Sequence, residues 1–409
     1  NRRNVAKLKP AWTHKCGDAS RRPATTIECT PLVVGGVMFL TTARLQVRAL
    51  KAATGEPIWN YAPFAGQGRS PGVNRGVTWF ADGKDKRVFA AMQDKLFCIH
   101  PETGELIRSF GDNGTLNLAT QFDRDMKGLS FRVTSPAVVH EDTLIVGGGG
   151  GEGPRPEAPG HIRGYDVYTG KRKWIFHTIP HPGEFGYDTW PKDSWQRNGS
   201  ANNWAGMSVD PKRGWVFVPT GSAAFDFWGG DRHGDNLFSD CVLVLDARTG
   251  KRVWHFQTVH HDVWDYDLPA QPALVSVRID GKMRDAVAQV TKTGFVFLLD
   301  RETGKPLFGV EERKTPASDV VDEKLSPTQP FPLKPAPLSR LELTEDLLTD
   351  ISPEAREYAL KKFRSLRSGG PFTPPSLQGT VYSPGTLGGA LWGGCAFDPA
   401  SQRLFVNTS

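Results

Sequence analysis

The sequence predicts an all-β protein, a β-propeller built from four-stranded blades, and three observations carry that prediction. Five segments share one pattern, in which an Asp-like position precedes a Thr-Gly turn and a large residue follows four positions after the glycine. They read ALKAATGEPIW to Trp59, CIHPETGELIR to Arg108, GYDVYTGKRKW to Trp174, VLDARTGKRVW to Trp254 and LLDRETGKPLF to Phe308. An apolar strand lies upstream of each: GVMFLTT, KRVFAAM, DTLIVGG, GWVFVPT and AVAQVTK. Recurrence at roughly 50–80 residues marks an array of similar units, which a single sandwich does not show.

Each element has a local cause. The glycine supplies the positive φ of a tight turn, and the apolar residues around it read as two adjacent strands. Openings such as TPLVV, SPAVV, AGMSVD, QPALV and GGCAFD add a further strand, so a unit has about four strands. A sheet that small cannot bury itself. Stacking such sheets around an axis solves the problem, with each Trp docking one blade on the next. After the fifth hairpin the pattern breaks: residues 315–337 are proline-rich, and Ser352-Pro353-Glu354 opens a helix to about Leu366. This stretch, 310–370, reads as an excursion packed on the outside of a single propeller domain covering 1–409. The repeat resumes where WGGCAFDPASQRLFVNT from Trp392 parallels WAGMSVDPKRGWVFVPT from Trp204. The chain then stops inside a strand, which predicts a ring incomplete at the C-terminus.

Composition narrows the function. The chain has 409 residues, 38% of them hydrophobic, and a net charge of +6 from scattered Lys and Arg, which disfavours a nucleic-acid groove and suits a small anionic ligand. No run reaches the length of a membrane span, so this segment does not itself encode membrane association. The five cysteines show no zinc spacing and no CxxC pair.

Long polar or Gly-rich inserts fall on connections that an up-and-down blade places on one face. That face is predicted to hold Glu28, Arg75, Thr134, Glu152, Trp204, Ser222, Asp226, Asp265 and Lys292. HHDVWDYDLPAQP, from His260 to Pro272, concentrates the chemistry: two imidazoles and three carboxylates on a loop leaving a strand. The plain reading of Asp262, Asp265 and Asp267 is that they cap a turn. Their place in the repeat argues for more. Glu152, Ser222 and Asp265 offer oxygen atoms from successive repeats, which suits a hard cation. Trp204 offers a stacking surface, and Arg75 and Lys292 offer charge for carboxylates on a flat ligand. Adjacent His260 and His261 point opposite ways on an extended segment, so they do not make a metal pair. Gly148-x-Gly150-x-x-Gly153 lacks the helix a dinucleotide fingerprint needs, and Gly68-Arg69-Ser70-Pro71-Gly72 lacks the strand-to-helix turn of a nucleophile elbow.

The stretches VNRGVTWF, IRGYDVYTGKRKW, FDFWGGDR, FQTVHHDVWDYDLPAQP, KTGFVFLLDRETG and FTPPSLQGT carry a resemblance that spans almost the whole chain. It resembles the pyrroloquinoline quinone (PQQ) dependent dehydrogenases, nearest to the membrane-bound quinoprotein glucose dehydrogenase branch. The resemblance implies eight blades, PQQ on the axis, a bound Ca2+ or Mg2+, a periplasmic location, and oxidation of a sugar or alcohol hydroxyl with electrons passed to ubiquinone or cytochrome c. It makes Asp265 the general base, places Lys292 at the quinone oxygens and Trp204 beneath the ring, and counts Glu28, Arg75 and Thr134 as cofactor contacts. Glu152, Ser222 and Asp265 fall on metal positions, with Ser222 where alcohol-oxidising members have Asn. Pro71 stands where glucose dehydrogenases carry a sugar-recognising His, which argues against glucose itself, and the adjacent-cysteine disulfide of the methanol enzymes is absent. The rival reading is a non-catalytic periplasmic propeller, resembling the lipoproteins of outer-membrane assembly, that binds other proteins.

Overall fold

The computed structural model describes residues 3–66, 72–154 and 156–409. Pro71 and most of the Gly68–Gly72 loop lie outside them. The chain divides into two compact units: Asn1–Ala119 with Arg132–Leu144 and Asp166–Lys171, and Thr120–Phe131 with Ile145–Tyr165 and Arg172–Ser409.

The first unit contains two four-stranded antiparallel sheets. One runs β1 (Leu32–Val34), β2 (Val37–Thr41), β3 (Val47–Lys51), β4 (Pro57–Tyr61), and the other β5 (Thr78–Asp82), β6 (Asp85–Met92), β7 (Lys95–Ile99), β8 (Thr115–Asn117). Strand order equals chain order, as the up-and-down blade requires. β9 (Val138–His140) belongs to this unit, and β10 (Thr143–Val146) follows it. Phe39, Val47, Val88, Ala90, Phe97 and Ile99 form the core.

The second unit opens with the hairpin β11 (Ile162–Asp166) and β12 (Arg172–Phe176), then a short helix α1 (Ser194–Arg197). A four-stranded sheet follows in chain order, β13 (Ser208–Asp210), β14 (Trp215–Pro219), β15 (Cys241–Asp246) and β16 (Arg252–Gln257). β17 (Ala273–Ile279), β18 (Lys282–Val290) and β19 (Val296–Asp300) make a three-stranded sheet, whose expected fourth strand is reduced to a bridge between Leu299 and Pro306. The chain closes with the pairs β20 (Val310–Lys314) with β21 (Thr328–Pro332) and β22 (Ala390–Asp398) with β23 (Arg403–Thr408).

The repeated turn does what its residues predict. Asp246 Oδ1 accepts from the amides of Arg248 and Thr249 and from the Thr249 hydroxyl, and Asp300 repeats the arrangement with Glu302 and Thr303. Gly250 and Gly304 sit at φ +70° and +71°, where an L side chain is strained. They also leave room for the docking indoles. A Cβ on Gly250 would lie 2.5 Å from the Trp174 ring and one on Gly304 2.5 Å from Trp254, while the indole nitrogens donate to Ala247 O at 3.2 Å and Arg301 O at 3.0 Å. The first unit repeats the device with Trp59 on Gly104, its nitrogen 2.8 Å from Pro101 O.

The excursion is more involved than an outer ornament. Helix α2 (Pro353–Arg364) begins where the sequence places it, with Ser352 Oγ accepting from the Ala355 amide at 3.1 Å, and it buries no residue. Its flanks, however, seal the 260–268 loop. Gln329 brackets the His260 backbone, donating to its carbonyl at 2.7 Å and accepting from its amide at 2.8 Å; Trp264 donates to Thr373 O at 2.8 Å and Tyr266 to Pro371 O at 2.8 Å. The outer packing expected of the excursion therefore holds for the helix but fails at Phe331, which packs with Phe372 against the core of Trp264, Tyr266 and Phe295 because the loop's large aromatics need cover. All five cysteines are free, and no helix among the described residues is long and apolar enough to cross a membrane.

Candidate active site

The 260–268 loop departs from an extended course at His261 and Asp265, which adopt left-handed φ of +48° and +58°. His260 and His261 do point apart. His261 is fully buried between Gly234 O and the Glu323 carboxylate, each at 2.8 Å, whereas His260 faces Gln257 and Glu312. The three aspartates divide their labour. Asp262 is the turn cap, accepting from the amides of Trp264 at 2.8 Å and Tyr266 at 2.7 Å. Asp265 and Asp267 instead converge on Lys292, whose Nζ lies 2.8 Å from Asp265 Oδ1 and 2.8 Å from Asp267 Oδ2.

Lys292 leaves the end of β18, and the Gly388–Gly389 loop closes over it. The Gly389 amide donates to Lys292 O at 2.7 Å, and a Cβ on Gly388 would come within 2.6 Å of the lysine side chain. Trp204 precedes β13. Its indole nitrogen donates to Asp267 Oδ2 at 3.0 Å, and Lys292 Nζ stands 5.8 Å from its ring centroid, so carboxylates, lysine and indole form one constellation. Gly221 permits this approach, since a Cβ there would sit 2.2 Å from Asp267 Oδ1. The Ser222 amide donates to that same oxygen at 2.6 Å, while its hydroxyl is engaged by Asp262 and by Asp240 at 3.5 Å.

Around this lie more carboxyls than cations. Asp226, Asp240, Asp262 and Asp267 are buried. Burial, then Asp267, Asp265, Asp262 and Glu152 push Asp226 up to about 10. Burial and Asp267 push Asp265 up to about 9 against the pull of Lys292. Asp240 and Asp262 are raised by burial as well. Asp267 is the exception: burial opposes its charge, but Lys292 and the Ser222 amide outweigh it, and its pKa is lowered. Lys292 is correspondingly raised: burial favours loss of its proton, and its two aspartates prevail.

Of the residues predicted from sequence, Trp204, Ser222, Asp265 and Lys292 thus share one site in the second unit. Glu152 belongs to the same acidic group through Asp226, whose amide donates to Glu152 O at 3.3 Å. Glu28, Arg75 and Thr134 meet in the first unit. Arg75 pairs with Glu28 at 2.8 Å, and its amide donates to Thr134 O at 2.8 Å. Two residues escaped the sequence reading in their true roles: Asp267, which organises the constellation, and Asp240. Only the i+2 spacing from Asp265 hinted at the first.

The donor set fits a divalent cation. Its atoms are hard oxygens, the carboxyls outnumber the lysine, and Asp240 Oδ2 is buried with no hydrogen-bond partner. The partly exposed indole of Trp204 beside an ammonium fits a flat, anionic ring. Four-stranded sheets in chain order, with a site of this chemistry among their connections, are those of a β-propeller.

Comparison with known proteins makes this specific. Residues 1–409 match the PQQ family described as the glucose/ethanol/alcohol dehydrogenase beta-propeller domain. The chain is 35% identical to the quinate/shikimate dehydrogenase (quinone) of Acinetobacter baylyi and 33% identical to the quinoprotein glucose dehydrogenase of Escherichia coli, each over 100% of this chain and 53% of the relative. A quinohemoprotein alcohol dehydrogenase from Pseudomonas putida HK5 superposes with a TM-score of 0.68 at 24% identity, covering 94% of this chain and 51% of that one, and a europium-containing methanol dehydrogenase with 0.71 at 22%, covering 100% and 65%. The chain belongs to the PQQ-dependent dehydrogenase β-propeller family, and it spans about half the length of the curated relatives it matches.

Proposed function

We propose that this protein is a quinoprotein dehydrogenase that oxidises a CH–OH group of a sugar, polyol or related hydroxylated substrate. The observation that carries the reading is the Asp265–Lys292–Asp267–Trp204 constellation, set in a surplus of buried carboxyls. Trp204 and Lys292 are the residues of this unit that would hold PQQ, and Glu152, Asp226 and Asp265 those that would hold Ca2+ or Mg2+. PQQ with its cation, when bound, supplies a two-electron acceptor and a positive charge beside these carboxylates.

The chain's own residues do the rest. Asp265 accepts the proton of the substrate hydroxyl at a carboxylate oxygen. Lys292 fixes that carboxylate at 2.8 Å and favours its ionised form. Asp267 never serves as the base here. It is held by the Trp204 and Ser222 N–H donors as well as by Lys292, so its task is to position the lysine and the indole. Ser222, whose hydroxyl donates to Asp262 and whose amide donates to Asp267, organises these carboxyls. The aromatic cover of Trp264, Tyr266 and Phe372 keeps water from the back of the loop.

The names of relatives range over quinate or shikimate, glucose and glycerol, which is why the substrate is stated as a class. Electron transfer onward to ubiquinone or cytochrome c and a periplasmic location are part of the same proposal. The test is reconstitution of the purified protein with PQQ and Ca2+, followed by a screen of aldoses, polyols, hydroxylated ring acids and primary and secondary alcohols with a dye acceptor. Turnover is expected in the wild type. Asp265→Asn should lose roughly 10²- to 10⁴-fold in rate while still binding PQQ. Full activity in that variant removes Asp265 from the mechanism. Failure of the wild type to bind PQQ in the presence of Ca2+ would favour the protein-binding scaffold.

A further inference from the structure

The second unit contains a cluster of imidazoles that the dehydrogenase site does not use. His161 opens the stretch leading into β11, and His177 and His181 flank the Thr178–Pro180 turn that follows β12. One ring nitrogen of each lies within 4.8 Å of the other two. The rings of His177 and His181 stack at 3.7 Å with an interplanar angle of 5°, His161 meets His177 edge-on at 4.8 Å, and Trp195 covers His181 at 4.5 Å. The Nε2 atoms of all three are buried and have no hydrogen-bond partner. Three such atoms in one place are costly, since each buried polar atom without a partner carries a desolvation penalty.

From this we infer a divalent transition-metal site, one that favours imidazole and is chemically unlike the oxygen-rich dehydrogenase site. Two features of the surroundings support it. The Nδ1–H of His177 donates to Glu184 at 2.8 Å, which leaves the Nε2 lone pair facing the cluster and places a carboxylate behind a ligand imidazole, as metal-bound histidines require. Asp123 Oδ2 lies 3.6 Å from His177 Nε2, at the separation expected of two ligands on one ion, and its other oxygen is held by Arg172 at 2.9 Å. His161 Nδ1 accepts from the Thr178 amide at 3.1 Å, so without metal its ring proton sits on Nε2; ligation through Nε2 moves that proton to Nδ1, where the Thr178 hydroxyl at 3.5 Å accepts it in place of the amide contact.

The charges facing the cluster are mixed. Arg124, committed to Asn198 O, and Arg163, packed on Phe122 at 4.0 Å, disfavour a cation, while Asp123 and Glu184 favour one. Nitrogen donors exclude Ca2+ and Mg2+ as the natural occupants and suit zinc, copper or nickel. Tetrahedral metal–nitrogen bonds of about 2.0–2.1 Å put ligand nitrogens about 3.3 Å apart, so occupation draws the cluster in by about an ångström and ties the 177–184 turn to β11.

The test uses the purified protein, stripped with a chelator and then held in millimolar Ca2+ to fill oxygen-donor sites, and titrated with Co2+ and with Zn2+. One equivalent of Co2+ should bind with a visible ligand-field band of nitrogen coordination, Zn2+ should displace it, and Zn2+ should raise the melting temperature. The double variant His177→Ala/His181→Ala should lose the band and the Zn2+-dependent rise. The single variant Glu184→Gln, which leaves every ligand in place, should weaken Zn2+ binding about 10- to 100-fold. Absence of saturable binding up to ~100 μM metal, binding unchanged in the double variant, or affinity unchanged in Glu184→Gln each overturns the assignment.

Discussion

Replacing Lys292 by Met tests the electrostatic heart of the site without touching the proposed base. Lys292 is buried and bonds two carboxylates at 2.8 Å each. At an effective dielectric of about 20, one such contact is worth up to about 6 kcal/mol, and after the lysine's own desolvation is subtracted the usual cost of breaking a buried pair is about 3–5 kcal/mol. The pH dependence is more telling than the total. In metal-free wild-type protein Asp265 is pushed up to about 9 and holds its proton at neutral pH, so the working ion pair is Lys292 with Asp267, whose pKa is lowered. A lowered carboxylate adds stability above its unfolded value and loses it in acid. Without the ammonium, Asp267 shares the burial and the carboxylate neighbours that raise Asp265, and it must take up a proton to remain buried. On folding, the variant then takes up about one more proton than the wild type does, and its relative stability falls by about 1.4 kcal/mol per pH unit over the window where this holds. From pH 5 to pH 8 the gap between wild type and Lys292→Met should widen by up to about 4 kcal/mol. Guanidinium unfolding followed by tryptophan fluorescence, both proteins in chelator, measures it. A gap that is the same at both pH values would refute the proton-linked account, whatever its size.

Other outcomes follow from the same geometry. Asp226 and Asp265 are raised to about 10 and about 9, so the metal-free protein binds extra protons when folded; its melting temperature should fall as pH rises from about 4 toward 9, and millimolar Ca2+ should flatten that fall. Gly250→Ala forces a side chain into φ +70° and against Trp174 at 2.5 Å; a loss of about 2 kcal/mol or more in chemical denaturation is expected, with an exposed-loop glycine such as Gly281, which has nothing near it, as the milder control. Glu323→Ala strips the buried imidazole of His261 and the Gly229 amide of their acceptor, and should cost about 1–3 kcal/mol and lower PQQ-dependent turnover by loosening the 260–268 loop; unchanged stability would show that the excursion does not secure it.

How much of this was legible beforehand differs from residue to residue. Spacing was enough to find the repeated hairpins, because the positive φ of the Thr-Gly turn is a local requirement, met at Gly250, and a large residue recurs four positions after each glycine; which glycine an indole meets, as Trp174 meets Gly250, is a contact between repeats. The start of α2 was equally local, a serine cap before a proline. Trp204 and Asp265 could be named because their position in the repeat set them apart from core aromatics and turn caps.

Asp267 could not be separated from Asp262 in the same way. Both are aspartates of one loop, and which of them caps the turn and which grips Lys292 depends on the left-handed residue at Asp265 and on a lysine 25 positions further along. The cover supplied by Glu323 and Phe331 was misplaced on the outside, since proline-rich sequence carries no signal of what it packs against. The imidazole cluster is the clearest case: His161 and His177 stand on either side of a hairpin, and nothing in their spacing announces that their unpartnered nitrogens meet. Local chain geometry is written in short-range residue types, so sequence by itself determined the blades and the inventory of reactive groups. Long-range pairings depend on how sheets and loops come together in space, so the tertiary structure alone decided which of those groups act on one another.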